Sequence, residues 1–245
     1  MVLKRILFSI LILLSNSILL AQPAFNIYNG DTINRVDSKG QKQGIWMKFY
    51  PTDTVFYRGQ FKNGKPVGTF IHYNANGTKQ SETKYLTSAK TQFRGFYEDG
   101  RLKAVGVFVN QKKDSVWKYY WENDSLSSIE IYKNGVPSGD WKFYYRSGKL
   151  SEITTWVNGK KNGPHKEYFK DGVLKIEFTY RDDKRNGLYR SYYSNGIPYL
   201  EGVYKMDVRN GLWMLHDETG KVKAQDEYVD GYCPNVTITE DLMAE

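Results

Sequence analysis

GDWKFYYRSGKLSEITTWVNGKKN, residues 139–162, decides the fold, because the same 24-residue sentence recurs along the chain. Copies follow from Gly163 (GPHKEYFKDGVLKIEFTYRDDKRN), Gly187 (GLYRSYYSNGIPYLEGVYKMDVRN) and Gly211 (GLWMLHDETGKVKAQDEYVD). Others open upstream at Gly44, Gly68, Thr91 and Ser115, and successive starts lie 24 residues apart except for one step of 23, from Gly68 to Thr91. A fixed period of this length marks a repeat architecture, in which each unit contacts mainly its neighbours.

Each unit reads as a β-hairpin. A strand rich in Trp, Tyr and Phe leads to a turn pair: Asn76-Gly77, Asp99-Gly100, Ser147-Gly148, Asp171-Gly172, Asn195-Gly196 or Thr219-Gly220. Gly and Asn accept the positive φ that tight antiparallel turns require. The second strand closes on one aromatic: Phe61, Tyr85, Phe108, Tyr132, Trp156, Tyr180, Tyr204 or Tyr228. Stretches such as Asn158 to Gly163 then read as short loops into the next unit. An isolated hairpin is not stable in water, so the units must pair edge to edge. The expected fold is all-β: an elongated, single-layer antiparallel meander of about eight hairpins.

The flanks divide the rest. Residues 1–21 carry Lys4 and Arg5, then an apolar run broken by Ser15, Asn16 and Ser17. That layout predicts a cleaved secretory signal ending at Ala21; the apolar part falls short of the roughly 20 residues of a spanning helix, so no stable membrane span is expected after its removal. The mature chain is expected to be exported, to the periplasm or beyond. Residues 22–43 form an N-terminal segment in which Ile33 to Val36 is expected as a lone strand covering the first sheet edge, which would otherwise invite aggregation. The array spans residues 44–230. In the tail, 231–245, Val236 to Thr239 alternates like a strand able to cover the other edge, and the acidic end from Glu240 is expected to be disordered.

Cys233 is the one cysteine, so stability must come from stacked strands rather than disulfides. Without Lys4 and Arg5 the chain keeps 33 basic against 27 acidic residues, a net charge of about +6. The three histidines, His72, His165 and His216, occupy different places in different units. No Cys-x-x-Cys, His-Glu-x-x-His or phosphate-binding glycine loop is present. Neither catalysis nor a metal or cofactor is therefore expected.

The pattern Gly-x-Trp-x-x-Tyr, an Asn/Asp-Gly turn, and a strand ending in Tyr before Asn-Gly-Lys resembles the MORN-repeat variant of the YwqK-type antitoxin family. Matching positions include Gly139, Trp141, Tyr144, Gly148, Trp156 and Gly159, with Gly211, Trp213, Gly220, Tyr228 and Gly231 in the last unit. Thr91, Ser115, His165 and His216 depart from the pattern. The resemblance implies an elongated antiparallel sheet used for binding, with a toxin as one partner class.

Two aromatic rows follow from the register of the units. Trp46, Phe70, Phe93, Trp117, Trp141, Tyr189 and Trp213 share the third place; Phe49, Tyr73, Phe96, Tyr120, Tyr144, Tyr168 and Tyr192 share the sixth. An odd separation puts the rows on opposite faces. Both are expected to act mainly as packing ladders, with Trp141, in a central unit, contributing more than Trp213 near the end. Arg94, Lys118, Lys142, Lys166 and Arg190 precede the sixth-place row by two residues and share its face. These five, with Tyr120, Tyr144, Tyr168 and Tyr192, form the candidate partner-binding surface. A cationic row of this kind suits an acidic protein, including a toxin, or an anionic envelope polymer. Nucleic acid is not expected for an exported chain. A purely structural envelope role is the alternative from another class. Charge also separates along the edges, with acidic hairpin tips and basic links from Lys65 to Arg209.

Overall fold

A computed structural model describes residues 26–234. Twenty-one strands form one open sheet, antiparallel except where Ile33 lies parallel to Ile45. No helix occurs among the described residues, and none is long and apolar enough to cross a membrane. Each repeat supplies two strands, as in Gly139–Tyr144 and Leu150–Val157, and sequential strands are neighbours throughout the array.

Both connections of a unit are hairpins. At the tip, Tyr145 N–H donates to the Lys149 carbonyl at 2.9 Å and Gly148 N–H to that of Tyr145 at 2.8 Å, with Gly148 at φ 84°. Tips without glycine place Asp53 (φ 60°) and Asp124 (φ 63°) in the same left-handed conformation, which short polar side chains tolerate. The links are not the loops expected from sequence. Val157 pairs with Lys160 across Asn158 (φ 51°) and Gly159 (φ 83°), a two-residue turn with both centres left-handed, the twist that matches its flanking strands. The strand then continues directly as Lys160–Tyr168.

The glycine opening a unit creates an irregularity in that strand. Thr154 pairs with His165 and Trp156 with Lys161, so Thr155 alone opposes Asn162, Gly163 and Pro164. The same two-residue excess recurs where Gly59 faces residues 68–70, Gly106 faces 115–117 and Gly202 faces 211–213. The opening residue has positive φ there: Gly68 67°, Ser115 60° and Gly211 69°. The seam at Thr91 differs. Lys79–Tyr85 pairs with Lys90–Phe96 in unbroken register from Ser81↔Gly95 to Tyr85↔Thr91, and the link lengthens to Leu86 through Ala89, closed by Leu86 N–H to the Lys90 carbonyl at 3.0 Å. The bulge is lost and the loop gained, which accounts for the 23-residue step.

The first edge is covered by more than the expected lone strand. Arg35–Val36 pairs with Gln43 and Lys42, and Asn34 at φ 57° reverses the chain into a hairpin of Asn26–Tyr28 with Asp31–Ile33. Ile33 is buried, and the Asn34 side-chain oxygen accepts from Met47 N–H at 2.8 Å. The signal segment, the strand expected at Val236 to Thr239 and the acidic end lie outside the described residues.

Candidate functional site

Directly paired residues share a face, so the register sorts every side chain. On one face, the ring face, third-place aromatics meet the closing aromatic of their own unit, as Trp46 with Phe61 at 5.8 Å, Phe70 with Tyr85 at 5.3 Å, Trp141 with Trp156 at 5.0 Å and Trp213 with Tyr228 at 6.4 Å, or of the preceding unit, as Trp117 with Phe108 at 4.8 Å and Trp213 with Tyr204 at 4.9 Å. The most buried rings, Trp117 and Trp213 at 2% exposure, lie flat over Gly106 and Gly202, where an added Cβ would come within 2.2 and 2.1 Å of the indole. Trp141, with Glu130 at the place of those glycines, is only half-buried. The expectation that Trp141 outweighs Trp213 is therefore corrected: the residue beneath the ring, not the unit's centrality, sets its burial.

Ring-face aromatics also carry cationic lids, which sequence reasoning assigned wholly to the basic edge. Lys42 sits over Trp46 at 4.3 Å, Lys113 over Trp117 at 4.9 Å and Tyr132 at 4.8 Å, and Lys161 over Tyr180 at 5.0 Å. Arg185 lies over Tyr204 at 4.0 Å and Arg209 over Trp213 at 4.4 Å. Arg185 and Arg209 also donate to the hydroxyls of Tyr204 and Tyr228, each at 3.0 Å. Lid and ring, four residues apart, share a face by strand alternation; the bulge draws them together, so that they stand only two partner residues apart, as Lys161 opposite Trp156 and His165 opposite Thr154. Burial and the Glu130 carboxylate push the Tyr119 and Tyr132 hydroxyls above the usual phenol range, so they stay neutral donors beneath Lys113.

The opposite face carries all nine candidate residues, in the two rows expected. The cationic row reads across the strands as Glu82, Arg94, Val105, Lys118, Ile129, Lys142, Ile153, Lys166, Glu177, Arg190, Glu201. Beside it runs Phe96, Leu102, Tyr120, Leu126, Tyr144, Leu150, Tyr168, Leu174, Tyr192. The structure divides the five cations. Lys166 pairs with Glu177 at 3.4 Å and Arg190 with Glu201 at 2.6 Å, and burial plus a bond to Glu177 raise the Tyr192 hydroxyl to about 12. Among the described residues Arg94, Lys118 and Lys142 make no ion pair, and the Glu82 carboxylate next to Arg94 is held by Lys79 at 2.6 Å. Consecutive units stand two strands, about 10 Å, apart, so these three charges repeat at that spacing. Between the first two lies a shallow groove of about 590 Å³ lined by Lys84, Arg94, Val105, Val107, Lys118 and Tyr120.

Sequence reasoning missed a further row. Seventh-place aromatics tie five of the tips to the next: Tyr50 hydroxyl to the Tyr73 carbonyl at 2.9 Å, Tyr97 to Tyr120 at 2.7 Å, Trp121 Nε1 to Tyr144 at 3.2 Å, Tyr145 to Tyr168 at 2.6 Å and Tyr193 to His216 at 2.9 Å. The aromatic doublets Phe49-Tyr50, Phe96-Tyr97, Tyr120-Trp121 and Tyr144-Tyr145 were the visible signal. The histidines stay apart. His165 is buried with Nδ1 2.8 Å from Thr154 Oγ1 and Nε2 3.4 Å from Glu167, while His216 lies 3.3 Å from Glu201. Among the described residues no group of three or more His, Cys, Asp or Glu is placed to hold a metal.

The MORN repeat variant matches residues 113–134, 137–158, 161–182 and 185–206. Those four units are MORN repeats. They keep the 24-residue period, opening at the lid position occupied by Lys113, Pro137, Lys161 and Arg185. No curated protein matches the chain. Among solved structures it is similar to the crystal structures of TcdB2-TccC3 (11% identity, 86% of this chain, TM-score 0.23) and TcdB2-TccC3-TEV (13%, 82%, 0.22). The form of TcdB2-TccC3 without its hypervariable C-terminal region gives 13%, 82% and 0.22. The chain spans 14%, 15% and 15% of those chains, and likeness at these scores bears on neither activity nor partner.

Proposed function

We propose that this repeat protein is exported, non-enzymatic, and binds an acidic protein through the face that carries Arg94, Lys118 and Lys142. One observation carries the reading: three uncompensated cations at regular spacing, with Val105 and Ile129 between them and a Tyr/Leu row alongside. Uncompensated charges steer an oppositely charged partner, and the flanking apolar row supplies the area that desolvation needs. Lys166 and Arg190, already neutralised, contribute less.

Capture from an envelope extract by immobilised mature chain, followed by surface plasmon resonance with the retained partner, tests this. Arg94→Glu with Lys118→Glu and Lys142→Glu should slow association at least tenfold, and added salt should slow the wild type similarly. Lys112→Glu with Lys160→Glu and Lys184→Glu, on the link edge, should leave it unchanged. An unaltered rate in the face triple removes the proposal. Retention that survives protease treatment of the extract would instead make the partner an anionic envelope polymer. The narrower antitoxin reading rests on the family resemblance; relief of toxicity on co-expression with a captured toxin would support it. Export is checked by amino-terminal sequencing of the mature protein, expected to begin after Ala21.

A further inference from the structure

The ring face shows, in its own repeats, what sits over its aromatic pairs. A cation four residues before the third-place ring lies over that ring or over its closing partner at Lys42, Lys113, Lys161, Arg185 and Arg209. Three units break this rule: over Trp141 and Trp156 the lid position is Pro137, though Lys161 of the next unit still reaches Trp156 at 5.8 Å, while the other two, which are adjacent, have no such substitute among the described residues. The lid position for Phe70 and Tyr85 is Pro66, paired with Phe61 as Arg209 is paired with Tyr204. For Phe93 and Phe108 it is Ala89, at the end of the lengthened link of the bulge-free seam.

The rings there are left open. A groove of about 780 Å³ runs over Tyr85, Phe93 and Phe108, with Pro66 and Ala89 in its wall. Its lining holds no Lys, Arg, Asp or Glu, so no internal charge fills or repels. Burial pushes the His72 imidazole below its ordinary value, keeping that wall residue neutral near pH 7. Among the described residues the Tyr85 hydroxyl has no hydrogen-bond partner, whereas the equivalent Tyr204 and Tyr228 hydroxyls accept from Arg185 and Arg209.

We propose that the open cradle of Tyr85, Phe93 and Phe108 receives an arginine or lysine side chain from a partner polypeptide, in the position that the chain's own cations take elsewhere. The face of the rings attracts the cation, the apolar walls desolvate it, and Tyr85 accepts one hydrogen bond. This site lies on the face opposite Arg94, Lys118 and Lys142 and selects the opposite charge, so it stands or falls independently of the function proposed above.

Titration of the mature protein with the peptide acetyl-Gly-Arg-Gly-amide, followed by aromatic proton–carbon NMR, tests it. Saturable shifts are expected at Tyr85, Phe93 and Phe108, with affinity roughly five- to tenfold above the citrulline counterpart, which keeps the shape without the charge. Pro66→Arg supplies an internal lid; it should raise Tm and abolish the shifts. Tyr85→Phe keeps the ring and should weaken the arginine peptide, whose hydrogen bond is charge-assisted, more than the citrulline peptide, narrowing the margin between them. Equal binding of the citrulline peptide, undiminished binding by Pro66→Arg, or shifts confined to the face of Arg94 would each overturn the proposal.

Discussion

The seam between Leu150–Val157 and Lys160–Tyr168 and the seam between Lys79–Tyr85 and Lys90–Phe96 join the same kinds of strand in two ways. The first carries a two-residue excess opened by Gly163 and a two-residue turn; the second has neither. At the first, Lys161 reaches over Tyr180; at the second, no cation among the described residues covers Tyr85, Phe93 or Phe108. The bulge is thus not a defect between repeats. It takes up two residues and so draws the lid in close to its ring, and its loss at Thr91 coincides with the grooves on both faces of the sheet.

The largest effect should come from the rings that the bulges seat. Trp117→Ala removes a fully buried indole and leaves the Val107 carbonyl without its donor, so it should lower stability by about 3–5 kcal/mol in urea denaturation. Half-buried Trp141 should lose visibly less on the same change. Equal losses would mean that Gly106 beneath the ring does not set burial.

Next comes the backbone of the seam itself. Gly211 sits at φ 69° with open space where a Cβ would go, so Gly211→Thr isolates backbone strain and should cost about 1–2 kcal/mol. Thr91→Gly, where φ is ordinary, should cost no more than about 1 kcal/mol through added chain entropy. A neutral Gly211→Thr would break the contrast between the two seams.

The lids should matter least. Arg209→Gln removes one cation from Trp213 and Tyr228 and should lower stability by about 0.5–2 kcal/mol, partly masked by the packing of the remaining stem. A second, smaller signature is pH. His72 is held below its ordinary value of 6.5 by burial, so the unfolded chain takes up the proton first. Stability is fully present above that value and declines as pH falls below it towards the folded pKa, a slope that His72→Phe should remove in pH-resolved denaturation.

The hairpin unit, the number of repeats, the alternation of the two aromatic rows and the common face of Arg94, Lys118, Lys142, Lys166 and Arg190 were all determined by the sequence alone. Each follows from local rules: turn residues at fixed offsets and a side-chain period of two, which hold wherever the strand lies. Only the tertiary structure decided which of those cations stay uncompensated, because the pairing of Arg190 with Glu201 depends on which residues the register brings opposite one another. It likewise decided that Trp213 is buried and Trp141 is not, since burial depends on the Gly202 or Glu130 of a neighbouring strand. The 23-residue step was visible as a count, but its meaning was not. A period records how many residues a repeat uses, whereas lost bulge and lengthened loop nearly cancel in number and differ only in where the backbone places the next ring.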